Sequence, residues 1–280
     1  MLPLSPLPRT LSAALRDVKH AKPRVRQAAL RDLARLAESA ERAQALSALV
    51  TALAKDQTPE VRAAAAVALA DAKAGEHLKE ILRATRDPDL YVRQMALVAL
   101  GELAEPGDAE ALSAVRIALN AAAPPIRFQA LVALNRLADD DADESIIDHL
   151  EDADPEIRYV ALRIAEERWA PAETPAPRKA PERVRAKARR ALDDGSPAVR
   201  LAAGILMARL GEQDGAEAVA RALNDSRSPR EAEDEHAAIE LAGELGLKEA
   251  EPGLRRRAWG GLLGQSPFCL LYTSPSPRDS

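Results

Sequence analysis

Apolar and polar positions recur along this chain with helical spacing, and the pattern restarts again and again. After Arg62 come Ala65, Ala68 and Leu69; after Arg93, Ala96, Ala99 and Leu100; after Arg127, Ala130, Ala133 and Leu134. Positions three, six and seven residues beyond a common point lie on one face of an α-helix. The alanines let a neighbouring helix approach closely, and the leucine fills the remaining volume. Each arginine follows Val or Ile, at Val25-Arg26, Val61-Arg62, Val92-Arg93, Ile126-Arg127, Ile157-Arg158 and Val199-Arg200, so the arginines are spaced by 36, 31, 34, 31 and 42 residues. Pro23, Pro59, Pro124, Pro155 and Pro197 stand two places before the Val or Ile of their units; in the third unit that place holds Leu90. A second amphipathic segment precedes each of these helices, as at 40–54, 76–85 and 109–121. The predicted unit is helix, short turn, helix. One such pair cannot bury its own apolar face, so successive pairs must stack into a continuous core.

The pattern Asp-x-x-Pro-x-Val-Arg-x-x-Ala-x-x-Ala-Leu resembles a HEAT repeat of the bacterial subtype shared with phycobilin lyases, over about residues 10–260. The resemblance implies an all-α, right-handed solenoid of about seven helical pairs, with the second helices on the concave side. Residues 1–268 are expected to form this single solenoid. A proline-rich loop at 169–181 accounts for the 42-residue interval, since proline breaks a helix, and a last repeat beginning near Gly253 is cut short. Residues 269–280 stand apart. A permitted reverse translation of CLLYTSPSPRD reads as a transposase adapter used in sequencing libraries, so this tail is expected to be non-native, and with it Cys269, the only cysteine.

Composition agrees with an all-helical chain. It is 47% hydrophobic but only 2% aromatic, and its Ala, Leu, Arg and Glu are strong helix formers. A net charge of -5 argues against nucleic acid, whose binders carry a basic stripe for the phosphates. No apolar run approaches the roughly 20 residues of a membrane span, and the first residues lack the pattern of a secretory signal. A cytoplasmic monomer is expected. Charge is unevenly spread. Residues 139–156 hold ten acidic side chains and no Lys or Arg, whereas 178–190 hold seven basic ones. Such blocks are solvated faces, partner surfaces, or partners for each other.

Asp56/Arg62, Asp87/Arg93, Asp152/Arg158 and Asp194/Arg200 are each six residues apart. Repetition in register makes them structural: Asp holds the backbone of the turn between the helices, and Arg bridges the turns of adjacent repeats. The candidate chemistry is sparse. Asp139, Asp141 and Asp143 alternate as in a calcium loop, but Glu144 and Leu150 stand where that loop needs Gly and Glu. Deoxyhypusine hydroxylase has a similar architecture and holds two irons through paired His-Glu motifs. Here His236 is followed by Ala237, and no earlier repeat supplies a histidine at that place. No metal, no cofactor and no catalysis are expected.

Binding is a different matter. The first and fifth positions after each arginine lie one turn apart and project together. In the central repeats they are Gln94 and Val98, Phe128 and Val132, Tyr159 and Arg163, and Leu201 and Ile205. Apolar and aromatic side chains beside an arginine suit an interface. The expected function is therefore a scaffold or adaptor holding a protein or peptide on the concave face. The alternative is a phycobilin-lyase-like accessory protein that handles a chromophore or another small molecule.

Overall fold

The computed structural model describes residues 9–137, 142–171, 179–225 and 232–259, and the regular elements among them are all helical. The helices form two compact units that divide between Ser145 and Ile146. The first unit holds α1 (Leu11–Asp17), α2 (Pro23–Leu36), α3 (Arg42–Lys55), α4 (Pro59–Asp71), α5 (Leu78–Ala84), α6 (Leu90–Leu103), α7 (Ala109–Leu119) and α8 (Pro124–Leu137). Helix α9 (Asp143–His149) crosses the division. In the second unit lie α10 (Pro155–Trp169), α11 (Glu182–Ala191), α12 (Pro197–Arg209), α13 (Gln213–Asn224), α14 (Ala232–Glu244) and α15 (Glu251–Trp259).

Within the first unit each odd helix packs on the even helix that follows it. The even helices form one layer in the order α2, α4, α6, α8, and the odd ones a second layer in the order α1, α3, α5, α7. This is the stack of HEAT-like helical pairs that the periodicity predicts. Its core is made by the expected positions: Ala65, Ala68 and Leu69, Ala96, Ala99 and Leu100, and Ala130, Ala133 and Leu134 are all buried. Close approach matters here. A Cβ placed on Gly101 of α6 would lie 3.2 Å from the Cα of Ala133 on α8.

The starts of the second helices follow from local chemistry. Pro23, Pro59, Pro155 and Pro197 occupy the first helical turn, where proline loses no hydrogen bond and its fixed φ suits the helix. Helix α6 has Leu90 there instead. Its start is held by the Asp89 side chain, which accepts from the amides of Tyr91 and Val92, an N-cap of the ordinary kind.

The repeated Asp and Arg residues form a ladder along the turns. Arg62 donates through Nη1 to the carbonyl of Asp56 in its own turn at 2.9 Å, and through Nε and Nη2 to both carboxylate oxygens of Asp87 in the next turn at 2.8 Å each. Arg26 grips Asp56 in the same two-pronged way at 2.7 and 2.8 Å, as does Arg158 with Asp194 at 2.7 and 2.9 Å in the second unit. Each of these aspartates also accepts a backbone amide two residues on, from Thr58, Asp89 and Ser196. The ladder therefore joins a turn to itself and to its neighbour.

The second unit departs from simple stacking in two ways. Trp169, expected to begin the proline-rich loop, instead ends α10 and is 2% exposed; residues 172–178 of that loop lie outside the described residues. Within this unit, part of the acidic block meets the basic one. On α11, Lys187 meets Glu151 at 3.1 Å and the carbonyl of Ile147 at 3.0 Å, while Arg190 meets Glu151 at 2.7 Å. The other side of α11 is also occupied, by Arg189 with Glu212 at 2.7 Å and with Asp214 at 2.6 Å. The basic helix thus sits between two acidic segments. Asp139 and Asp141 of the candidate calcium loop lie outside the described residues, as do residues 260–280, which include the expected adapter-derived tail.

Candidate functional site on the second helices

The predicted binding positions fall on four second helices, two in each unit. In the first unit, Gln94 and Val98 on α6 and Phe128 and Val132 on α8 are all partly exposed. Their neighbours beneath, Leu97, Leu100, Leu131 and Leu134, are fully buried. The two sets therefore divide the helices into a core stripe and an outward stripe. At the start of α6, Tyr91 is 49% and Leu90 38% exposed, and helical geometry stacks Tyr91, Gln94 and Val98 along one line. At the other end, Glu102 of α6 and Arg136 of α8 pair at 2.7 Å. The result is a band of aromatic, aliphatic and amide groups closed at one end by an exposed ion pair.

The second unit treats the equivalent positions differently. Leu201 and Ile205 are 3% and 0% exposed, in a cluster with Ala238, Leu241 and Ala242 of α14 and Val219 and Leu223 of α13. They are core residues, and the expectation that they face a partner is corrected: the last described pair covers them. Tyr159 and Arg163 are committed to α14 as well. The Tyr159 hydroxyl donates to Asp234 Oδ1 at 3.0 Å, and Arg163 Nε lies 3.8 Å from the same carboxylate. Arg163 also donates to Glu166, which in turn faces Arg209 of α12 at 2.9 Å.

This cluster was not read from the sequence. Asp234 stands where the other repeats carry the buried Val or Ile, and it is 2% exposed. A buried carboxylate is costly unless it is paired, and the hydroxyl of Tyr159 and the charge of Arg163 supply the partners. Glu166, 7% exposed, keeps its proton above the usual carboxylate range because burial penalises its charge, against the attraction of Arg163 and Arg209. The signal that was available is Asp234-Glu235 in place of Val-Arg. The second of these pairs with Arg257 of α15 at 2.6 Å, so both charges tie α14 to its surroundings.

Other candidates offer less. His236 is half-exposed and lies 3.0 Å from Glu240, one turn along α14, and the described residues hold no group of three or more potential metal ligands. A shallow cleft of about 460 Å³ opens between α1 and α3, lined by residues such as Leu15, Val18, Lys19, Ala48 and Lys55 and by no aromatic ring. No described helix is long and apolar enough to cross a membrane.

Comparison with known proteins supports the architecture. HEAT repeats are matched over residues 46–135 and again over 75–166, from within α3 to within α10. No curated protein sequence matches the chain significantly. Among solved structures, YibA of Escherichia coli is similar with a TM-score of 0.64 at 17% identity, over 88% of this chain and 85% of that one. The complex of CpcE and CpcF of phycocyanin lyase from a Nostoc species is similar with a TM-score of 0.51 at 19% identity, over 91% and 96% of the two chains. An engineered protein is similar with a TM-score of 0.50 at 19% identity, over 72% and 98%. At these identities the likeness concerns the fold.

Proposed function

We propose that this chain is a non-catalytic scaffold that binds a protein or peptide on the second-helix face of its first unit, through Gln94, Val98, Phe128 and Val132. The observation that carries this reading is the outward stripe of α6 and α8. Apolar and aromatic groups with an amide among them remain partly exposed there, directly above a buried leucine layer. The layer fixes where those side chains project, which suits a pre-organised surface. Repeats of this kind are scaffolds, and their binding work falls to the positions that packing leaves free.

Selection of peptides from a random display library on the immobilised chain tests the proposal. Enriched peptides are expected to lose binding to the double variant Val98→Glu, Val132→Glu. Because both valines are only partly exposed, its stability is expected to fall by about 1 kcal/mol per substitution, with the fold retained. Peptides that bind both proteins equally, or a failure to enrich any, would refute it. A collapse of stability would show instead that this stripe belongs to the core. The lyase-like alternative draws on the similarity to the CpcE and CpcF complex, which is one of fold, and no aromatic ring lines the cleft at α1 and α3.

A further inference from the structure

The Arg-Asp ladder of the first unit has an open rung. Arg26 and Arg62 each use Nη1 on the carbonyls of their own turn and offer Nε and Nη2 to the aspartate of the next turn. Arg93 begins in the same way, with Nη1 donating to the carbonyls of Asp87 and Pro88 at 2.7 and 3.0 Å. In the following turn, however, the aspartate's place is taken by Ala121, whose carbonyl receives Nη1 of Arg127 at 2.9 Å. Among the described residues Arg93 makes no ion pair. Its Nε and Nη2 edge, which in Arg26 and Arg62 holds a carboxylate, meets none among the described residues.

A second departure from the repeat occurs beside the first. The proline that opens the other second helices is Leu90 in α6. Leu90 shares a helical face with Arg93 three residues on and with Gln94 four residues on, and both Leu90 and Tyr91 are exposed. The open guanidinium edge thus lies at the head of the stripe formed by Gln94 and Val98. We propose that this rung is completed by a partner: a single Asp or Glu side chain of a bound peptide takes the place of the missing aspartate, with an apolar neighbour against Leu90 and Tyr91.

Charge selects this occupant over others. Arg93 offers one positive group without an ion pair among the described residues, with Asp87 and Asp89 in the turn behind it, so a lone carboxylate is matched and a polyanion is repelled. The planar guanidinium edge also fits the two oxygens of a carboxylate, as the three closed rungs show.

The inference rests on the binding function proposed above and names the chemistry of its partner. The test extends the same selection with Ala121→Asp, which supplies the internal carboxylate and should close the rung. Peptides enriched on the parent are expected to share one acidic position flanked by an apolar residue. Their affinity should fall about ten-fold or more on Ala121→Asp, with the thermal midpoint unchanged or higher. Arg93→Gln should weaken the same peptides similarly, and peptides with Asn or Gln at the acidic position should bind the parent as weakly. Peptides that lose binding to Val98→Glu, Val132→Glu but keep it on a folded Ala121→Asp would overturn the rung and leave the scaffold reading standing. Peptides indifferent to both variants, or no enrichment at all, would overturn both.

Discussion

At the scale of single residues, the ladder aspartates couple the fold to pH. Burial alone would raise the Asp87 and Asp194 carboxyls. The hydrogen bonds from Arg62 and the Asp89 amide, and from Arg158 and the Ser196 amide, outweigh it and hold both below their ordinary value. A carboxyl that binds its proton less tightly when folded contributes stability above the unfolded-state pKa of about 3.9, and loses that contribution as the pH falls through the depressed value. The double variant Asp87→Asn, Asp194→Asn is therefore expected to cost about 1–3 kcal/mol per rung at neutral pH. Its stability should also decline less steeply than the parent's below about pH 4, as denaturant titrations across pH would show. Glu166 acts with the opposite sign. Its raised pKa favours folding below the ordinary glutamate range, and the benefit fades as the pH rises through the raised value.

At the scale of elements, two glycines separate helix propensity from helix packing. Replacing glycine with alanine in a helix is worth about 1 kcal/mol where the methyl group meets nothing. Gly243 in α14 is exposed with no atom within 4 Å of its added Cβ, so Gly243→Ala should stabilise by up to about that amount. Gly215 in α13 is buried against α12, where a Cβ would lie 2.5 Å from the Cβ of Met207 and closer still to the amide of Ala208. There the overpacking of about 1–3 kcal/mol exceeds the gain, and Gly215→Ala should lower the thermal midpoint. Melting curves of the two variants give the comparison. The same reasoning explains why α14 withdraws Leu201 and Ile205 from the surface: an added helix on an apolar stripe converts a binding face into core.

For the molecule as a whole, charge limits the partner more than shape does. The chain carries -5 at neutral pH with a pI near 5.6, and its most basic helix, α11, is enclosed by Asp148, Glu151, Glu212 and Asp214. Lysines and arginines so engaged are not available to release counterions from a phosphate backbone. Fluorescence anisotropy with a labelled 20-base-pair duplex should therefore show no binding at about 0.15 M salt; saturable binding there would mean that this electrostatic account fails.

Much of this was determined by the sequence alone. The positions of the second helices, their buried Ala and Leu stripe and the structural role of the Asp and Arg residues follow from a short local pattern repeated many times. Such a pattern reports backbone geometry and nearest-neighbour packing, both of which operate over a few residues. The partly exposed state of Gln94, Val98, Phe128 and Val132 was legible for the same reason. Only the tertiary structure decided what happens where the pattern lapses. The burial of Leu201 and Ile205 depends on α14, roughly thirty residues later in the chain, and the Tyr159–Asp234 hydrogen bond spans 75 residues. Whether Arg93 closes a rung depends on which residue stands opposite it in the next turn. The repeat predicts that residue's place, and the fold alone shows what its absence leaves open.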